Sequence, residues 1–192
     1  VKLTKKGEYA LRTLIQLGVA HRTGKDVVSV SSLAASEKLP FKFLEQILFT
    51  LRGAGYIESK RGKVGGARLA KPQNEIRMGE IVRLIDGKLA PIGCASETEY
   101  EACTCPDEDH CGLRMLMIDV RNAIANILDR YTLHDVVEVT LRKLERDGLA
   151  VIPANITSAT SDRCSTGYAS RPRHADPADG FLAFLNDTKK SA

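Results

Sequence analysis

Apolar positions recur at helical spacing over most of residues 5–147, and one short interval, Tyr56 to Leu69, breaks the rhythm with strand-forming residues around a glycine-rich tip. Thr4 is placed to cap a first helix, about Lys5 to His21, whose core face carries Leu11, Leu14, Ile15, Gly18 and Val19. Thr23 to Asp26 reads as a turn, and Val27-Val28 as a short extended piece able to pair with the later ribbon. Ser31 or Ser32 then caps a short helix with Leu33, Ala34 and Ala35 on its inner side. Lys38-Leu39-Pro40 ends it, and Pro40 suits the first turn of the next helix, where its missing N–H costs nothing. That helix, about Phe41 to Arg52, has Leu44, Ile47, Leu48 and Leu51 on one stripe, and Gly53 and Gly55 stop it.

Tyr56 to Lys60 has strand chemistry, Arg61 to Gly66 forms a turn of three glycines and two cations, and Ala67 to Leu69 returns as a second strand. Two short helices followed by a basic ribbon are the layout of a winged helix-turn-helix, so the fold expected is mainly α with a small β-ribbon. Lys71 to Asn74 reads as a linker, and Met78 to Asp86 as a short helix ended by Gly87. A long helix, Leu113 to Tyr131, repeats Leu113, Leu116, Met117, Val120, Ile124, Ile127 and Leu128 at helical spacing. Its apolar face is too broad for one small domain to cover. Pairing with a second copy would bury it, and packing against the 78–86 and 132–147 helices is the plainer alternative. Thr132 caps a final helix to about Asp147, with His134 exposed in its first turn. From Leu149 the chain turns Ser-, Thr- and Pro-rich and reads as a flexible tail. Cys164 is a bystander there, and Phe181 to Leu185 is a short apolar run that docks or stays idle. The division expected is a DNA-binding domain at 1–75, a cysteine loop with dimerisation helices at 76–147, and a tail at 148–192.

Charge sharpens the picture. The net +4 conceals a split: residues 1–75 hold 14 Lys and Arg against 6 Asp and Glu, while the remainder holds 14 against 18. The positive half coincides with the expected reading module, as phosphate neutralisation requires. Phe41, Lys42, Glu45 and Gln46, at the start of the second short helix, suit the floor of a major groove. Lys60, Arg61, Gly62 and Lys63 suit phosphates or a minor groove, because glycine lets the backbone approach closely. Lys5, Lys6 and Arg12 are candidates for backbone contacts that fix register. Glu8 among these cations reads as a first-turn carboxylate favoured by the helix dipole. No apolar run approaches the length of a membrane span, and polar residues interrupt the N-terminal apolar positions, so a cytoplasmic location is expected. No nucleophilic triad, phosphate-binding Gly-Lys loop or paired carboxylates point to an enzyme.

Four of the five cysteines, Cys94, Cys103, Cys105 and Cys111, fall in one Glu-, Asp-, Pro- and Gly-rich stretch with spacing C-x8-C-x-C-x5-C. Such a stretch has little apolar content to order it, and a metal centre would supply the constraint. Four thiolates suit tetrahedral zinc or an iron–sulfur cluster. A structural zinc site commonly has two close cysteine pairs and only one is present, whereas clusters tolerate irregular spacing. Free thiols or a redox disulfide are the remaining reading.

On KLTKKGEYAL, LPFKFLEQIL…LRGAGYIESKRGKVGGARLAKP and GEIVRLIDG…PIGC, the chain resembles the Rrf2 family of bacterial winged-helix regulators over about residues 1–147. The resemblance implies homodimers joined by a long helix, a palindromic double-stranded DNA operator, a recognition helix at Pro40 to Gln46, and a wing at Arg61 to Lys63. It also implies, in cluster-bearing members, three cysteines before the dimer helix plus a fourth ligand that is in some members a first-helix acid. Cys105 and Cys111 keep the family's x5 spacing and Cys94 its first position, but ten residues separate Cys94 from Cys105, and Cys103 is extra. The ligand set is therefore all four cysteines, or Cys94, Cys105 and Cys111 with Glu8. The function expected is a DNA-binding transcriptional regulator, a repressor, modulated by a [2Fe-2S] or [4Fe-4S] cluster. The alternative is a regulator controlled by a protein partner, with structural zinc or redox thiols.

Overall fold

The computed structural model describes residues 3–62, 65–148 and 181. Among the described residues six α-helices and one two-stranded antiparallel ribbon follow in the order α1 (Lys5–Arg22), α2 (Val30–Glu37), α3 (Phe41–Gly53), β1 (Ile57–Lys60), β2 (Gly66–Leu69), α4 (Met78–Asp86), α5 (Gly112–Arg130) and α6 (Leu133–Arg146). Short 3-10 turns lie at Gln73–Glu75 and Gly93–Ala95. The boundaries follow local chemistry. Thr4 caps α1 by accepting from the Gly7 amide, and Gly87 ends α4 at φ 76°. Thr132 and Asp135 form a reciprocal capping box at the start of α6.

Three expectations need correction. Ser29, not Ser31 or Ser32, caps α2, its hydroxyl accepting from the Ser32 amide. The helix therefore starts at Val30, and its buried face carries Leu33, Ala34 and Glu37 while Ala35 is exposed. Pro40 stands at the N-cap of α3, one residue before the helix. The segment after the ribbon is not a loose linker: Gln73 is buried and its side-chain amide donates to the Gly18 carbonyl at 3.0 Å.

One core joins α1, α2, α3, the ribbon, α4 and α6. Leu14, Leu33, Leu44, Ile47, Leu51, Ile57, Ile81, Leu133 and Val137 are almost fully buried in it. Ile57 pairs with Leu69, Glu58 with Arg68, Ser59 with Ala67 and Lys60 with Gly66. Val28 adds an antiparallel bridge to Ala67, as its strand character predicted. α5 stands apart: none of its residues is buried, and Leu113, Met115, Leu116 and Ile127 are exposed. Its Leu128 reaches the core, and Met117, Val120 and Ile124 are half-buried, which leaves Leu113, Met115, Leu116 and Ile127 as the exposed part of the apolar face. Beyond residue 148 the structure describes Phe181, whose ring meets that of Tyr131 edge-on at 4.8 Å. Lys63, Cys164 and Leu182 to Leu185 lie outside the described residues.

Candidate nucleic-acid interface and metal centre

α3 buries Leu44, Ile47, Leu48 and Leu51, so the opposite side of the helix faces outward. Lys42, Glu45, Gln46, Phe49 and Arg52 from that side, with Lys6 of α1 and Ser59 of β1, surround a hollow of about 760 Å³. Phe41 is exposed at the first position of α3. Lys60, Arg61 and Gly62 are exposed at the end of the ribbon, with Gly62 at φ 114° and its carbonyl accepting from the Gly65 amide. Lys5 is exposed but bonded to Glu8 at 2.7 Å, which raises the Lys5 pKa and lowers that of Glu8. Arg12 is half-exposed and held by acids: it reaches Glu37 at 2.5 Å and Glu8 at 3.4 Å. Glu8 thus sits among the α1 cations and does not line the cysteine cavity described next.

Cys94, Cys103, Cys105 and Cys111 all line one cavity of about 240 Å³, with Glu101 and Leu113. Cys94 is buried on the 3-10 turn, Cys111 is the N-cap of α5, and Cys103 and Cys105 approach on the intervening loop. The Cys105 amide donates to the Cys103 sulfur at 3.3 Å. Cys105 has its pKa pushed up to about 11, first by its hydrogen bond to Cys103 and the repulsion of that neighbour, then by burial and Cys111. Burial, followed by Cys103, pushes the Cys94 thiol up as well. Thiols that resist joint ionisation are the donor set a cation would favour, because its charge reverses the penalty. Among the described residues, no three His, Cys, Asp or Glu side chains are grouped so that they could hold a metal ion as they stand. The chemistry of the four thiols fits a metal centre.

Residue patterning alone missed the groups that tie this loop down. Arg114 donates to the Cys94 carbonyl at 3.0 Å and pairs with Glu108 at 3.2 Å. Arg121, two turns further along α5, donates to the Ala95 carbonyl at 2.7 Å. The Tyr100 hydroxyl donates to Glu108 at 2.7 Å, and that bond, more than the nearby Arg114, keeps the Glu108 pKa low. Lys88 pairs with Glu101 at 2.5 Å. The seven-residue spacing of Arg114 and Arg121 on one helix face was the available signal.

α4 bridges the two regions. Arg83 grips Asp129 of α5 through two bonds of 2.6 and 2.8 Å. Asp86 accepts from the backbone amide and hydroxyl of Thr4 at the start of α1. The Tyr56 hydroxyl, at the ribbon's base, donates to Glu80 at 3.0 Å.

The Rrf2 family profile, described as an iron-dependent transcriptional regulator, matches residues 3–139. The chain is 34% identical over 149 residues to the HTH-type transcriptional regulator NsrR of Geobacillus kaustophilus, covering 77% of this chain and 98% of that protein. Its fold is similar to the structure of CymR, the global cysteine regulator of B. subtilis, with a TM-score of 0.61, 31% identity, and coverage of 72% of this chain and 97% of that one. It is also similar to IscR of T. potens, with a TM-score of 0.57, 27% identity, and coverage of 78% and 93%.

Proposed function

The chain belongs to the Rrf2 family of transcriptional regulators, which are not enzymes, and from that premise we propose that it represses by binding a palindromic operator as a homodimer, under the control of a cysteine-ligated iron–sulfur cluster. The observation that carries this reading is the shared cavity of Cys94, Cys103, Cys105 and Cys111, joined by Arg114 and Arg121 to α5, a helix with no buried residue. Residues 1–75 do the reading and 76–147 sense and pair; the tail expected at 148–192 lies almost wholly outside the described residues. This division is functional, since the core runs across the first boundary.

On this reading Lys42, Glu45 and Gln46 face base edges, Phe41 flanks them, and Lys5, Lys60, Arg61, Gly62 and Lys63 meet the backbone. Two heads related by a two-fold axis set half-sites roughly 34 Å apart or a multiple of that. Phosphate contacts make binding fall steeply with salt. The exposed face of α5 pairs with its copy, burying Leu113, Leu116 and Ile127. When bound, a cluster supplies a labile, redox-sensitive constraint across the four thiolates. Arg114 and Arg121 pass the position of the Cys94 turn to α5, Asp129 and Arg83 pass it to α4, and Asp86 passes it to Thr4 at the start of α1. No described helix is long and apolar enough to cross a membrane, and the proposed location is the cytoplasm.

All four cysteines are the preferred ligand set, because Cys103 touches Cys105 and lines the cavity while Glu8 is engaged by Lys5 and Arg12. A second reading, partner control with structural zinc or redox thiols, draws on the likeness to CymR. Anaerobic purification with an absorbance spectrum and iron, sulfide and zinc analysis separates the two. The cluster reading expects a coloured protein containing iron and sulfide. A colourless protein with one zinc per chain contradicts it.

A further inference from the structure

Phe49 is 69% exposed, the most exposed large apolar side chain among the described residues. It lies at i+7 from Lys42, i+4 from Glu45 and i+3 from Gln46, so these four share one face of α3, and all four line the same hollow. The Arg52 guanidinium stands 5.6 Å from the Phe49 ring centroid, so one side of the ring is stacked and its orientation is held. Lys6, Lys42 and Arg52 bring three cations to the hollow. An apolar ring set in a cation-lined hollow does not suit a second copy of this chain, whose exposed apolar face is on α5. It suits an anionic polymer that presents isolated apolar groups.

The apolar group on the floor of the DNA major groove is the C5 methyl of thymine. We infer that Phe49 is a specificity-determining residue that packs on a thymine methyl in each operator half-site. The inference rests on the reading of α3 as the recognition helix. Seven residues of helix rise about 10 Å, so the thymine lies about that far along the groove from the step faced by Lys42. Arg52, stacked on the ring, reaches toward the flanking phosphate.

The test uses the full-length, anaerobically purified protein and an operator selected from randomised duplexes. Each thymine is replaced singly by deoxyuridine, which removes the methyl and leaves the hydrogen-bonding edge intact. Affinities are measured for wild type, Phe49→Ala and Phe49→Leu. Because Phe49 is exposed, thermal melts of the variants should match wild type, which controls for folding. One thymine per half-site is expected at which the replacement weakens wild-type binding about fourfold, the value of one buried methyl group. Phe49→Ala should be weaker on the intact operator and indifferent to that replacement, with Phe49→Leu intermediate. The inference is overturned if no thymine behaves this way, if both proteins lose equally at every position, or if Phe49→Ala binds as wild type and the ring therefore faces a protein. If wild type prefers no duplex at all, the assignment of α3 as a reader falls too.

Discussion

Glu37 reverses the usual expectation for a charged residue on a short helix. It is 7% exposed, and its carboxylate and backbone carbonyl both accept from Arg12. Replacing it with glutamine removes the charge that Arg12 faces and leaves the backbone carbonyl and Glu8 as its remaining partners. Because Arg12 is 41% exposed, water screens part of the loss. Glu37→Gln should therefore lower stability by about 1–2 kcal/mol in urea denaturation, and a midpoint unchanged from wild type would show the pair to be idle. Periodicity could not find this residue, since its partner comes from a helix 25 positions away. The same blindness applies to Arg114 and Arg121, whose acceptors are backbone carbonyls of a distant turn. Cys94, Cys103, Cys105 and Cys111 were legible because residue type and clustering, not contact, announced them.

Elements were legible wherever their ends carry their own chemistry. The limits of α4 match the sequence reading, and those of α5 and α6 lie within a residue of it, because Gly87, Thr132 and Gly148 act locally. The start of α2 was misplaced because Ser29, Ser31 and Ser32 are all competent caps, and packing of Leu33 chooses among them. Glycine makes a sharper test of the ribbon. A Cβ on Gly66 would overlap the Val28 carbonyl, whereas one on Gly53 meets nothing within 4 Å. Gly66→Ala should cost about 2 kcal/mol or more by breaking the Val28–Ala67 pairing. Gly53→Ala should be neutral or stabilising by up to about 1 kcal/mol. Equal denaturation midpoints for the two variants would contradict this account of the wing.

The joint between α4 and α5 carries a pH signature. The bond to Arg83 holds the Asp129 pKa below the ordinary carboxylate value, and the Arg83 pKa is raised correspondingly. A depressed carboxylate contributes stability that is complete above its unfolded pKa, about 4, and is lost as pH falls below that toward the folded value. Wild type should therefore lose thermal stability more steeply than Asp129→Asn below about pH 4, and the two should show parallel profiles above pH 5. A constant offset across the whole range would remove Asp129 from the joint.

At the scale of the molecule, one core holds the reading elements while α5 keeps Leu113, Met115, Leu116 and Ile127 exposed among the described residues. No sequence pattern decides between a partner copy and internal packing, and here internal packing leaves Leu116 55% exposed. Leu116→Glu should convert a dimer into a folded monomer in sedimentation velocity. A wild-type monomer, or a Leu116→Glu dimer, would relocate the interface. The central claim is that a sulfur-bound centre beside the pairing helix sets the grip of two basic heads on DNA. It is tested most directly by titrating one selected operator with the same anaerobic preparation before and after removal of its metal. The account predicts an affinity change of about tenfold or more between the two forms, lost when Cys94, Cys105 and Cys111 are replaced by serine. Identical affinities for the loaded and stripped protein would contradict it.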